Sequence, residues 1–310
     1  MLQPNAEQLA LLTRVERWSY RFGDLASCHS DVVAVVNDSI MRVMIGLCGG
    51  RRLRMHGLSH LARFGASDSL ILVANHRSFF DFYIVSATMF WHTDLPRRMF
   101  FPVRGTFFYD HPLGPFVNAA MSGMRMFPPI LRERERGAWN LFSVARCAAE
   151  LSVPGTIMGL HPEGTRNKGD DPYTLLPAQS GVGKIVLDAK QAHVIPIFVH
   201  GLSNAMGREL AYNWGRAPSE HPIDVVFGPE VDLGELRARR TRAVDHKRAA
   251  NLCLDAVARL AMAHRDGAFE PASSPRESTL TPRTTRARAQ HAKVAAHMTN
   301  GAHAGPVKSA

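Results

Sequence analysis

The chain is poor in cysteine. Its four cysteines, Cys28, Cys48, Cys147 and Cys253, are far apart and form no CxxC pair. That spacing argues against a zinc ribbon or a disulfide scaffold and fits a reducing compartment. Long apolar runs are missing as well. No window reaches the roughly 18 uninterrupted apolar residues that a spanning helix needs. The nearest, Val32 to Gly50, is broken by Asn37, Asp38, Ser39 and Arg42. The first residues do not read as a signal peptide, because Arg14, Glu16, Arg17 and Arg21 interrupt any apolar stretch. Such a chain is expected in the cytoplasm, and at a membrane it would lie on the surface rather than span it.

Aromatic residues are absent from the last stretch, 271–310, and acids are nearly so. Arg276, Arg283, Arg286, Arg288, Lys293 and Lys308 face Glu277 alone there, a net of +5 out of the total of +10. The other half of the charge is spread over the first 270 residues. Half of the basic balance therefore belongs to the tail, the pI is no evidence that the folded body binds nucleic acid, and no nucleic-acid partner is expected. A basic balance suits an anionic membrane surface equally well. From about Phe269 the composition turns to Pro, Ser, Thr, Ala, Arg and His without apolar periodicity, which reads as a disordered basic tail over 269–310.

What is present is an ordinary globular core. Apolar residues make up 45% of 310, enough for one large α/β domain or two small ones. Residues 5–48 read as two helices. Leu9, Leu12, Val15, Trp18 and Phe22 mark the first; Val32, Val36, Ile40, Val43 and Leu47 mark the second, which stops at Gly49-Gly50. An apolar helix running into Arg51, Arg52 and Arg54 could rest on a bilayer or pack on the domain. Segment 1–54 is thus an N-terminal helical pair with a candidate membrane face.

From Ser69 strand and helix alternate. Strands are expected at Leu70–Ala74, within Met99–Val103, at Met124–Phe127, Thr156–Leu160, Val194–Val199 and Ile223–Phe227. Helices are expected at Phe79–Phe90, Glu133–Leu151, Gly181–Gln191 and Asp245–His264, with a mixed segment at Phe107–Ala120. Pro196 points to an edge or a strand end. This rhythm predicts an α/β fold with a largely parallel central sheet flanked by helices, over residues 55–268. Sites in such sheets gather at the carboxyl ends of the strands.

Two short strings stand at such ends. Asn75-His76-Arg77-Ser78-Phe79-Phe80-Asp81 follows the first strand. On one ideal helix, residues five apart are rotated by about 500° and share no face. His76 and Asp81 meet only if His76 precedes the helix and Asp81 stands in its first turn. A carboxylate on one ring nitrogen then fixes the tautomer and leaves the other nitrogen to accept a proton. Ser78 is read as the N-cap of that helix. Two such ligands without a third are no zinc signature, and no metal is expected. The second string, His161-Pro162-Glu163-Gly164-Thr165-Arg166, follows Thr156–Leu160. Gly164 lets backbone approach a ligand, Thr165 offers a hydroxyl and Arg166 a fork suited to phosphate. Glu163 would repel an anion, so it is read as holding Arg166 or bonding a substrate hydroxyl.

With these residues in this order the chain resembles the glycerolipid acyltransferases, the family of 1-acylglycerol-3-phosphate acyltransferase. Two further blocks carry the resemblance. They are Gly123-Met124-Arg125-Met126-Phe127-Pro128-Pro129-Ile130-Leu131-Arg132 and Val194-Ile195-Pro196-Ile197-Phe198. The resemblance implies transfer of a fatty acyl group from acyl-CoA or acyl carrier protein, as co-substrate, to a hydroxyl of a lysophospholipid in phospholipid biosynthesis. No cofactor is implied. His76 would be the general base and Asp81 its partner. Glu163, Gly164, Thr165 and Arg166 would bind the acceptor head, with Arg132 the first choice and Arg125 the second for a further arginine. His161 stands where the family commonly has an aromatic residue. Phe79, Phe80, Phe82, Tyr83, Phe100, Phe101, Phe107 and Phe108 divide between core and acyl groove. Competing readings are a non-catalytic lipid-binding member of the same fold and an acyl-thioester hydrolase.

Overall fold

The structure, a computed structural model, describes residues 2–28, 30–95, 98–131 and 133–269. Three helices lead: α1 Ala6–Ala10, α2 Arg14–Cys28 and α3 Ser30–Cys48. Where two helices were expected, a short extra one precedes them. The break has a local cause: Thr13 and Glu16 exchange backbone-to-side-chain hydrogen bonds in the manner of a capping box and restart the helix.

The body follows as β1 Leu53–His56, β2 Leu70–Ala74, α4 Asp81–His92, β3 Arg98–Phe100, β4 Val103–Arg104, α5 Gly105–Phe108, α6 Gly114–Ser122, β5 Pro129–Ile130, α7 Gly137–Leu151, β6 Thr156–Leu160, α8 Ser180–Asp188, β7 His193–His200, α9 Met206–Trp214, β8 Ile223–Phe227, α10 Gly234–Arg237 and α11 Ala243–Arg265. β1 crosses the boundary expected between residues 54 and 55.

Six strands form the main sheet in the order β1-β8-β7-β2-β6-β3, and β4 pairs with β5 apart from it. Every neighbour in the main sheet is parallel except β7 with β8. The sequence Leu70-Ile71-Leu72-Val73-Ala74 explains the centre. Alternate side chains point to opposite faces, and all five are buried. Leu70, Leu72 and Ala74 join the core under α3 and α4, whereas Ile71 and Val73 join the core under α7, α8 and α11. Both faces are covered, as a parallel sheet requires. α4 lies between sheet and α3 and is buried on nearly its whole circumference. Gly183 lets α8 meet α11 closely, since a Cβ there would stand 1.7 Å from the His246 carbonyl oxygen.

Two expectations need correction. Met124–Phe127 is not a strand. Gly123 and Met124 both take left-handed conformations, φ 57° and 66°, so the chain turns and pairing waits until Pro129–Ile130. Pro196 is not at an edge: β7 lies between β8 and β2. Its carbonyl accepts from the Gly228 N–H, just beyond the last residue of β8. The proline nitrogen faces the same way, where the ladder with β8 has already ended, so no strand hydrogen bond is lost.

Among the described residues no helix is long and apolar enough to cross a membrane. α2, α3 and α6 nonetheless leave large apolar side chains in the open: Trp18, Phe22, Val43, Leu47, Leu113 and Phe116. The expected tail lies, beyond Phe269, outside the described residues.

Candidate active site

Both strings sit at the carboxyl end of the parallel strands. β2 and β6 are neighbours in register, Val73 beside Leu160, so the two turns that follow them lie side by side. The His76 N–H donates to Glu163 Oε1 at 2.7 Å, and the His76 carbonyl accepts from the Asn167 N–H at 2.8 Å. Asn75 is buried and bonds both the N–H and the C=O of Val199 on β7 through its amide. The backbone of His76 is thus held by the turn after β6, and its neighbour Asn75 by β7, before the ring does anything.

The ring meets its acid as expected. His76 Nδ1 lies 3.1 Å from Asp81 Oδ2, in the first turn of α4. The same oxygen accepts from the N–H groups of Arg77 and Ser78, both at 2.9 Å. Asp81 Oδ1 is buried with no hydrogen bond to any described residue. With Nδ1 engaged, His76 Nε2 has no hydrogen bond to a described residue, and the side chain keeps 21% of its exposure. Burial pushes the imidazole well below its ordinary value, to about 4, and the Arg166 charge adds to this. Burial also raises the Asp81 carboxyl to about 6, opposed by the neighbouring His161 and by the N–H groups of Ser78 and Arg77. The ring is therefore neutral at neutral pH, the state in which it can take a proton.

His161 lies flat on His76, ring centroids 3.7 Å apart and planes 8° from parallel. Its Nδ1 is 3.0 Å from the Ala74 carbonyl, and the Phe82 ring is 4.5 Å away. Burial and the neighbouring His76 push its pKa down to about 3. A neutral aromatic face thus supports the base, which is what an aromatic residue at this position would also do. His76, Asp81 and His161 bring one possible metal-ligand atom each within 4.8 Å of one another.

The second turn is built differently from its sequence reading. Glu163 points inward and is 1% exposed. Its oxygens accept from the His76 and Leu176 N–H groups, both at 2.7 Å. It neither holds Arg166 nor reaches the surface. Arg166 instead donates to Asn204 Oδ1 at 2.9 Å, and Asn204 donates to the Arg77 carbonyl. Gly164 has φ 63°, and a Cβ there would stand 2.8 Å from Gln179 Cγ, so the turn needs glycine. Thr165 is half-buried and Arg166 exposed. Ser78 does not cap α4. Its hydroxyl donates to the Ser203 carbonyl and accepts from the Phe80 N–H, tying the turn to the loop after β7.

Arg125 is not brought to this site. It is buried beside Arg98, Glu150 and Ser27, in a small cavity near the start of β3. Arg98 pairs in register with Thr156, the first residue of β6, whereas His161 follows the last. Arg132 lies outside the described residues. A residue that sequence reasoning missed stands beside this turn: Arg104, on β4, donates to the Gly164 carbonyl at 3.1 Å. Of the aromatic residues, Phe82, Tyr83, Phe100, Phe101 and Phe108 are core, while Phe79 and Phe80 are half-buried beside the turn.

The model of the acyltransferase family matches residues 52–200, a span that holds all four sequence blocks and bears out the resemblance. No curated protein matches the chain.

Proposed function

Since residues 52–200 are an acyltransferase domain, we propose that this chain moves a fatty acyl group from a thioester of coenzyme A or acyl carrier protein to a hydroxyl of a lysophospholipid. One observation carries the reading: His76 holds Asp81 through Nδ1 and keeps Nε2 free beside an arginine-flanked turn. The acceptor hydroxyl attacks the thioester carbonyl while His76 Nε2 takes its proton. The resulting imidazolium is stabilised by Asp81. The C–S bond then breaks, and the same proton returns to the leaving thiolate. The product is an ester and a free thiol.

Arg104 and Arg166 flank Gly164 and Thr165 and fit a phosphate head, each with guanidinium donors to spare. Glu163 acts as a strut for the two turns rather than as a ligand. Phe79 and Phe80 form the rim over which an acyl chain would lie. Acceptor-dependent thiol release tests the reaction: release at the full rate without a lysolipid would make the protein a hydrolase. Arg104→Ala and Arg166→Ala should each raise KM for lysophosphatidate roughly tenfold or more, with the thioester KM unchanged. Equal effects on both substrates would remove these arginines from the acceptor site.

The base also sets a pH profile. A histidine at its ordinary value of 6.5 would lose half its activity there. His76 is depressed toward about 4, so it stays neutral down to that range. Burial raises the Asp81 carboxyl to about 6, so kcat/KM should be flat from pH 8 to 7 and fall as this carboxylate, which stabilises the imidazolium, is protonated. In Asp81→Asn that step is absent and the remaining activity should stay flat through pH 6.5; half-loss near 6.5 in that variant would contradict the environment described for the ring.

The membrane face is proposed from α2 and α6, where Trp18 lies 6.2 Å from both Phe22 and Phe116. The protein would then rest on the cytoplasmic face of its membrane. The double substitution Trp18→Ser with Phe116→Ser should weaken co-sedimentation with anionic vesicles about tenfold or more, given the apolar area removed. Unchanged sedimentation would place the contact elsewhere.

A further inference from the structure

A second cluster of titratable side chains lies on the other face of the sheet, and acyl transfer makes no use of it. His200, the last residue of β7, is paired with Asp224 on antiparallel β8. Residues directly opposite in such a pair share a face. α11 packs over that part of the sheet and brings in His264. His264 Nε2 lies 3.4 Å from Asp224 Oδ2. The His200 and His264 ring centroids are 5.1 Å apart. One possible ligand atom from each of His200, Asp224 and His264 lies within 4.8 Å of the others.

Three details distinguish this cluster from an ordinary buried hydrogen-bond network. First, His200 Nδ1 is buried and has no hydrogen bond to any described residue. Buried polar atoms are seldom left so, and each asks for a reason. Second, His264 Nδ1 is engaged by the Tyr173 hydroxyl at 3.2 Å, which leaves Nε2 to face the carboxylate. Metal-bound histidines have their second nitrogen fixed in this way. Third, the other oxygen of Asp224 is held by His56 Nε2 at 2.9 Å, an outer partner for a ligating carboxylate. The 3.4 Å between His264 Nε2 and Asp224 Oδ2 is long for a strong hydrogen bond. It is close to the spacing of two ligands around a tetrahedral ion with bonds of about 2.0–2.1 Å. The site is shielded, with the Asp224 and His264 side chains 8% and 15% exposed.

We propose that His200, Asp224 and His264 bind one divalent ion of the zinc type, which clamps β7, β8 and α11 together. Two imidazole nitrogens and one carboxylate oxygen suit that class of ion, with water in the fourth position. The clamp would fix the residue immediately before Gly201–Asn204, the loop whose Asn204 holds Arg166. It shares no residue with the His76–Asp81 pair.

The test uses the untagged full-length chain, stripped by chelation and titrated with Zn²⁺ by calorimetry. Co²⁺ absorption reports the ligand set. One ion per chain is expected, and saturation should raise the thermal midpoint by roughly 5 °C at a hundredfold excess over Kd. His200→Ala removes a ring whose Nδ1 bonds no described residue, so it should fold, by circular dichroism, while weakening Zn²⁺ binding at least a hundredfold. His264→Ala should do the same to binding. His76→Ala, and a variant with His291, His297 and His303 replaced by alanine, should bind as the parent does. Absence of saturable binding would overturn the proposal. So would affinity unchanged in folded His200→Ala, or affinity lost in His76→Ala or in the tail variant.

Discussion

His76→Ala is expected to lose acyl transfer by roughly a thousandfold or more while remaining folded. The ring contributes Nε2 to the chemistry, but the backbone of residue 76 carries its own anchors, to Glu163 and Asn167. Those anchors survive the substitution, and Asp81 keeps the N–H groups of Arg77 and Ser78. Asp81→Asn separates charge from geometry. All three donors to Asp81 converge on Oδ2, while Oδ1 has no partner among the described residues. An asparagine can set its oxygen at the Oδ2 position and its amide nitrogen at the other. The His76 tautomer is then preserved and only the negative charge is lost. We expect a stable protein with activity reduced roughly a hundredfold, between the parent and His76→Ala. Steady-state rates with thermal melts decide it. Activity equal to the parent in either folded variant would remove that residue from the mechanism.

The second large effect is expected at Glu163, and it falls on the fold as well as the rate. The carboxylate takes one backbone N–H on each oxygen, from His76 and from Leu176, in a nearly sealed position. Burial raises its pKa, and these two N–H groups oppose that rise. Glutamine has the same shape but only one oxygen. Its amide nitrogen would face a backbone N–H, donor against donor. Leaving one buried N–H unpaired costs about 1–3 kcal/mol, and losing the charge weakens the surviving bond. Glu163→Gln should therefore lower stability by about 2–4 kcal/mol and reduce kcat, because the turn that carries Gly164 to Arg166 loses its tie to His76. Denaturant unfolding and steady-state kinetics read both. A glutamine variant as stable as the parent would show that the two hydrogen bonds contribute little.

Much of this fold was legible because its signals are local. Leu70–Ala74 is apolar on both faces, and such a run suits only a strand covered on both sides. His76 and Asp81 could be paired from sequence because a turn leading into a helix's first turn is the one geometry in which that spacing meets. The inward direction of Glu163 was not legible. A glutamate beside an arginine reads as an ion pair, and only the burial of the turn shows that it bonds backbone. Arg104 carries no local signal at all. It stands on a two-residue strand, and tertiary pairing alone brings it to Gly164. Arg125 misled for the opposite reason: its block is recognisable, but the left-handed turn at Gly123 and Met124 carries it toward Arg98 and Glu150. His200, Asp224 and His264 are far apart in the chain, so no spacing could have announced them.

Acyl transfer to a lysolipid at the His76 site is read out most directly by mass spectrometry of the lipids formed from one isotope-labelled acyl-CoA and a mixed lysolipid pool, with the parent and with His76→Ala. Labelled diacyl phospholipid is expected from the parent, with one free thiol released per ester formed, and neither from the variant. Labelled free fatty acid as the main product, or the same labelled phospholipid from His76→Ala, would contradict acyl transfer at this site.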